Sequence, residues 1–192
     1  EHGWTGKTVV MYIGTHGLSH GLTTILDTAD LLQPRKDIHF VFVGAGAERE
    51  KLMQRAESLY LKNVTFLPMQ QKSDMPRFYA AADICLVPLK KRKVFLFNIP
   101  SKMFEIMACA RPIVLGARGQ AQKLLDEAGA GIAVEPENPQ DYADAILQLA
   151  DDPTLRERYG EQGRRHAVEH YSRATKAADF IRILEAVANP QH

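Results

Sequence analysis

A chain of 192 residues is long enough for one large domain with a sizeable core and short for two ordinary ones. Hydrophobic residues make up 45% and charged residues 24%, with 13 glycines and 10 prolines, a profile that excludes disordered, collagenous and coiled-coil classes. Lys and Arg number 24 against 23 Asp and Glu, so the net charge of +1 provides no global field to hold nucleic acid, and none is expected as a partner. Cys85 and Cys109 form no C-x-x-C pair and cannot make a disulfide framework, which points to a reducing cytoplasm. No run of ~18 apolar residues is present to span a membrane. The opening Glu1-His2-Gly3-Trp4 has neither an initiator Met nor a signal-peptide layout, and reads as part of a longer protein.

Apolar β-branched runs alternate with helical patterns. Lys7–Ile13 reads as a strand ending in glycines, and Leu22–Leu32 as a helix with Leu22, Ile25, Leu26, Ala29 and Leu32 at helical spacing. Ile38–Val43 is the next strand, stopped by Gly44-Ala45-Gly46. Glu48–Leu59 is a charged helix, Asn63–Leu67 a short strand, and Asp74–Ala82 a helix whose Pro76 fits only in its first turn. Ala82–Pro88 and Pro112–Leu115 are continuous apolar runs, as in strands covered on both faces. Between them a long loop leads to a helix over 102–109, for which Pro100 and Ser101 are start signals and Ser101 a good N-cap. Gly131–Val134 is a weaker sixth strand. Helices follow over Pro139–Ala150, Pro153–Tyr159, Gln162–His170 and Ser172–Ala188. The alternation predicts a single Rossmann-like domain, a doubly wound parallel sheet of about six strands over residues 1–170, with a helical tail over 171–192. Ala177, Phe180, Ile181, Leu184 and Val187 form one apolar stripe on the tail, which must be buried on this domain or on another.

Ligands of such sheets bind at the carboxyl ends of the strands. Gly14-Thr15-His16-Gly17-Leu18-Ser19-His20-Gly21 follows the first strand, and glycines there let backbone amides approach an anion at the positive end of a helix. The spacing is neither G-x-G-x-x-G nor a P-loop, and the second strand ends in Gly44, not in the acid that holds a dinucleotide's ribose. A turn that serves only tight strand-to-helix packing fits the same residues. The segment Pro100–Cys109 is apolar on nearly every side except Lys102 and Glu105, the pattern of a buried helix. Two readings of Glu105 stand side by side. It accepts hydrogen bonds from vicinal ribose hydroxyls while the amides of Ser101, Lys102 and Met103 meet a diphosphate, or it is solvated, complementing the helix dipole or pairing with Lys102. The loop before it holds four cations, Lys90–Lys93, then four apolar residues, and suits anionic lipid, a phosphorylated ligand, single-stranded nucleic acid bound by charge plus stacking, or plain solvation. His16/His20 and His166/His170 lack the glutamate of H-E-x-x-H and read as surface histidines, so no metal and no cofactor are expected. Both cysteines read as small core residues, and no nucleophile signature such as G-x-S-x-G appears.

Taken in order, YIGTHGLSHGL, HFVFVGAGAEREKL, NVTFLPMQQKSDMPRFYAAADICLVPL, PSKMFEIMACARPIV, GAGIAVEPENPQDYADAIL and HAVEHYSRATKAADFIRIL resemble the C-terminal, nucleotide-sugar-binding half of a family-4 retaining glycosyltransferase with the GT-B architecture, over about Lys7 to Ala188. The resemblance implies that Glu105 holds the donor's ribose. It implies that the amides at the start of its helix, at Ser101, Lys102 and Met103, meet the phosphates, and that backbone at Met69, beside Gly44 and Gly46, reads the base. The turn carrying Gly14, Thr15, Gly17 and His20 takes the phosphate side. The sequence departs from the pattern in two places. Phe97 stands where a first glutamate is usual, and Thr15 and His20 where an arginine and a lysine clamp the diphosphate, so Lys102 or the cluster at 90–93 takes that charge. The same departures, with the P-S-K-x-F-E wording, mark a bacterial branch resembling polysaccharide and lipopolysaccharide glycosyltransferases, whose acceptors are sugars on a lipid carrier. The implied substrate is a nucleotide diphosphate sugar. The implied setting is cytoplasmic with a peripheral contact at the inner face of the membrane, the acceptor is held by an N-terminal domain, and this chain alone is inactive. A non-catalytic nucleotide-binding or assembly module of the same fold, and half of a sugar-nucleotide epimerase, are the alternatives.

Overall fold

The computed structural model describes residues 3–188, and Ala186 within them only as backbone. Six strands, β1 (Thr8–Ile13), β2 (Ile38–Val43), β3 (Val64–Leu67), β4 (Ile84–Pro88), β5 (Ile113–Gly116) and β6 (Gly131–Ala133), form one sheet in the order β3-β2-β1-β4-β5-β6. Every pair is parallel, with Met11 beside Val41 on one edge and Cys85 on the other. Side chains alternate across a strand. Val10, Tyr12, Phe40, Phe42, Ile84, Leu86 and Val114 therefore enter one core layer, while Met11, Val41, Val43, Cys85, Val87, Ile113 and Leu115 enter the other.

The first layer is closed by α1 (Leu22–Leu31), α2 (Arg49–Ser58) and α6 (Pro139–Asp151), the second by α3 (Met75–Ala81), α4 (Lys102–Ala108), α5 (Gln120–Ala128) and part of α7 (Pro153–Tyr171). Pro76 lies in the first turn of α3, as its missing N–H requires. Asn138 caps α6 by accepting from the amides of Gln140 and Asp141, and Asp152 caps α7 by accepting from Leu155.

Four sequence-based expectations need correction. α5 was not anticipated, although Ala121, Leu124, Leu125 and Ala128 bury one face of it and left-handed Gly129 ends it. Residues 153–171 form one helix, not two; Gly160 lies inside it and serves the close packing of α7, since a Cβ there would overlap the Ala110 carbonyl. The loop after β4 contains a 3-10 turn over Lys93–Phe97. Ser101 is not a side-chain cap: its backbone is already right-handed helical and its hydroxyl makes no capping bond.

The last helix, α8 (Arg173–Ala188), leaves Phe180, Ile181, Leu184 and Val187 exposed, as are Ala177 and Ile183. Its apolar stripe is therefore not folded back onto the domain's own sheet. No helix among the described residues is long and apolar enough to cross a membrane.

Candidate functional site

The chain runs outward from β1 through β2 to β3, then returns to β4 and runs the other way, so the loops after β1 and β4 diverge and open a crevice at the strand ends. Backbone hydrogen bonds shape its floor. Gly14 N–H donates to Val43 O (2.9 Å), His16 N–H to Ala45 O (2.8 Å), Glu48 N–H to His16 O (2.9 Å) and Lys90 N–H to Ser19 O (2.9 Å). The glycine turns after β1 and β2 thus form one unit, tied at its other side to the loop after β4. Tyr12, fully buried at the end of β1, donates its hydroxyl to Thr15 O at 2.7 Å and pins the turn from below. Burial pushes its phenol pKa up.

Lys102 reaches from the first turn of α4 to this unit. Its Nζ lies 4.2 Å from the centre of the Tyr12 ring, and a Cβ at Gly14 would stand 2.7 Å from it. The ammonium is buried and has no hydrogen-bond partner, and it does not pair with Glu105. Desolvation pulls its pKa down to about 8, with the Glu105 carboxylate opposing the fall. A buried cation held against a glycine turn, compensated by an aromatic face and at longer range by the Glu105 carboxylate but by no hydrogen bond, is well placed to meet an anion.

The two histidines of the turn are not surface groups of one kind. His16 is fully buried between Tyr12, Phe42 and Phe66, and neither ring nitrogen has a partner. Burial, then the charges of Arg49 and Lys102, lower its pKa to about 4. His20 is half-buried against the Tyr12 ring, its pKa lowered by burial and then by Lys102. Both rings are neutral at pH 7, so neither supplies the positive charge of a phosphate clamp. Arg49 points a buried, unpartnered Nε into the same neighbourhood. Lys102 and Arg49 thus bring two cations to the turn, with the buried Glu48 carboxylate acting on His20 with the opposite sign.

Glu105 is exposed on α4, and only Met103, Ile106 and Met107 of that helix are buried, so the helix is not buried all round. The Tyr79 hydroxyl, from α3, donates to Glu105 Oε2 at 3.1 Å and orients the carboxylate. The Met103 amide is already taken by the Pro100 carbonyl at 3.0 Å and is not available to a phosphate. Among the described residues the amides of Ser101 and Lys102 have no acceptor and remain free. Thr15 is exposed and contributes its carbonyl to Tyr12, Gly17 lies beside His20, and Met69 is exposed in the loop after β3, two residues beyond Leu67, whose carbonyl accepts from the Gly44 N–H. Phe97 is 82% exposed at the end of its 3-10 turn. The cations at 90–93 surround a separate cleft, treated below. Among the described residues no cluster of three metal-ligating side chains occurs.

Sequence reasoning located the turn, Lys102 and Glu105, and missed Tyr12, Arg49 and Tyr79. Tyr12 and Tyr79 look like core aromatics in their own segments, and no local pattern shows that their hydroxyls end at Thr15 and Glu105. The cysteines fit expectation in part: Cys85 is buried with its thiol pushed up to about 12, and Cys109 is half-buried with its thiol raised.

A crevice at the switch point of a 3-2-1-4-5-6 parallel sheet, lined by glycine turns and an unpaired ammonium, defines a Rossmann-like domain. The chain belongs to the family described as Glycosyl transferases group 1, which matches residues 1–166. It is 25% identical to "Spore coat protein SA" of Bacillus subtilis (strain 168), over 96% of this chain and 50% of that protein. It is 30% identical to "Putative colanic acid biosynthesis glycosyl transferase WcaI" of Escherichia coli (strain K12), over 74% of this chain and 35% of that one. Among solved structures it superposes on Anabaena Alr3699/HepE, crystallised with UDP, at a TM-score of 0.85 and 19% identity, over 96% of this chain and 50% of the other. Its structural neighbours are GT-B glycosyltransferases, of which it covers about half. The chain spans half or less of the length of these curated relatives.

Proposed function

We propose that this chain binds the nucleoside diphosphate portion of a sugar donor in the β1/β4 crevice and serves as the donor-binding part of a retaining glycosyltransferase. The observation that carries this reading is the buried, unpartnered Nζ of Lys102 against Gly14. Lys102, with the free amides of Ser101 and Lys102, meets the diphosphate and stabilises it as negative charge develops on the leaving group, work that fixed donors perform well in a site that excludes water. Glu105, oriented by Tyr79, accepts from the ribose hydroxyls, and the backbone around Gly44, Gly46 and Met69 borders the base. Kinship with a UDP-bound neighbour makes UDP the first nucleotide to try, and kinship with a colanic acid glycosyltransferase favours a polysaccharide or lipid-linked acceptor. We assign the acceptor to a further domain that packs against the exposed stripe of α8, so that this chain alone transfers no sugar, and we place the whole protein peripherally at the cytoplasmic face of the membrane.

A binding module without turnover is the second reading, favoured by the neutrality of His20 and by Phe97 in place of a carboxylate. Calorimetry with UDP tests the first step: Glu105→Ala should weaken binding by roughly tenfold or more, as loss of a charge-assisted hydrogen bond does. Parent and variant binding UDP alike, both folded, would remove the ribose role. Donor hydrolysis by the longer protein, against none, separates the transferase from the module.

A further inference from the structure

A second cleft opens beside the donor crevice, between the loops after β4, β5 and β6. It holds about 230 Å³. Its floor is apolar, made by Leu89, Ala117 and Pro136 with Phe95 and Leu96 of the 3-10 turn, and its rim is cationic, made by Lys90–Lys93 and Arg118. The walls are fastened to each other. Glu135 receives Lys91 Nζ at 2.6 Å and Arg118 at 2.7 Å, and Glu137 receives the Lys91 amide at 2.8 Å. Leu96 packs its backbone on Gly119, where a Cβ would overlap it, so the 3-10 turn is seated on the start of α5. Glu135 neutralises part of the rim; among the described residues Lys90, Arg92 and Lys93 pair with no carboxylate. Val94 and Phe97 stand exposed at its edge, at 70% and 82%.

These features restrict the occupant. No lining side chain is an amide, hydroxyl or carboxylate, so the cleft offers a neutral sugar no side-chain acceptor for its hydroxyls. A bare phosphate would leave the floor unused, and a plain hydrocarbon would leave three unpaired cations at its side. A ligand that satisfies both halves carries a phosphate on an apolar chain. We propose that this cleft binds a single alkyl or isoprenoid phosphate, phosphate at Arg92 and Lys93 and chain over Leu89, Phe95 and Leu96. Lys90 joins the two sites: its amide is bonded to Ser19 O and its stem lies against Gly21, so such a ligand is held beside the donor. The binding itself is independent of the transferase reading, which supplies only its purpose, to hold beside the donor the lipid-phosphate end of an acceptor whose sugar is seated on the further domain.

The test is titration of the purified chain with geranyl monophosphate, geraniol and inorganic phosphate, followed by calorimetry and by NMR shifts. Geranyl monophosphate should bind at least tenfold more tightly than either half-ligand, with shifts confined to residues 89–97, 117–118 and 136. Arg92→Gln/Lys93→Gln, two exposed positions whose change leaves the core intact, should lose roughly tenfold for geranyl monophosphate and nothing for UDP. Equal binding of geraniol, an unaffected double variant, or shifts elsewhere would overturn the proposal. Binding to phosphatidylglycerol vesicles without binding of monomeric geranyl monophosphate would also overturn it, since that is docking on a lipid surface, not in a cleft. If UDP fails to bind while geranyl monophosphate behaves as expected, the donor reading falls and the cleft stands.

Discussion

Replacing Lys102 by Met should make the chain more stable and a poorer ligand for nucleoside diphosphates. The drop of its pKa from the ordinary 10.5 to about 8 corresponds to ~3 kcal/mol of unfavourable burial in the charged form. The Tyr12 ring returns ~1–2 kcal/mol of that through its cation–π contact. Lys102→Met keeps the aliphatic stem and should gain ~1–2 kcal/mol at pH 7, a rise in Tm of roughly 2–4 °C per kcal/mol for a chain of this size. The pH dependence gives a separate signature. Below about pH 8 folded and unfolded chains are both protonated and the cost is full. Between about 8 and 10.5 the unfolded chain holds a proton that the folded one has released, so stability rises with pH, and above that window the cost is gone. The variant lacks this rise. Its affinity for UDP should fall by ~1.5–3 kcal/mol, tenfold or more, with uridine unaffected, because the lost contact is to phosphate. Thermal melts from pH 7 to 11 and calorimetry with UDP and uridine measure both halves. A variant that is less stable at pH 7 and binds UDP as the parent does would refute the reasoning, and equal losses for UDP and uridine would make Lys102 a packing residue.

His16, with its pKa lowered to about 4, binds its proton less readily folded than unfolded, so stability should fall by up to ~3 kcal/mol as pH drops from 6.5 through 4. His16→Gln should flatten that limb in acid denaturation curves, and an unchanged limb would show that other groups carry it. Tyr79→Phe removes the bond that orients Glu105 and should weaken UDP binding several-fold, yet leave a 2′,3′-dideoxy analogue unaffected; equal loss on both would mean a general packing effect. Amides of α8 should exchange faster than those of β1, β4 and β5, and Phe180→Ser should change stability by less than ~0.5 kcal/mol. Core-level protection over 173–188 in a monomer would contradict the exposed stripe.

The layout of the domain was legible in the sequence because parallel strands buried on both faces are written as continuous apolar runs, and IHFVFV and ICLVP fix β2 and β4 within a residue or two. The glycine turn after β1, the approach of α4 through Pro100 and Ser101, and the paired interest of Lys102 and Glu105 are local features, and local sequence carries them. α5 escaped notice because its apolar face is mostly alanine and leucine between two glycine-rich turns, a weak pattern until the sheet covers it. The site needed more than that. Lys102 and Gly14 are separated by most of the sheet's first half, and their approach depends on β1 and β4 being neighbours, which parallel crossovers decide and spacing does not. The same tertiary step turns His16 from a turn residue into a buried neutral ring and gives Glu105 its Tyr79. Sequence determined which residues carry charge and where the chain must turn. Only the folded sheet decided which of those charges lose their water, and desolvation is what leaves the Lys102 ammonium in the glycine crevice with a lowered pKa and no hydrogen-bond partner.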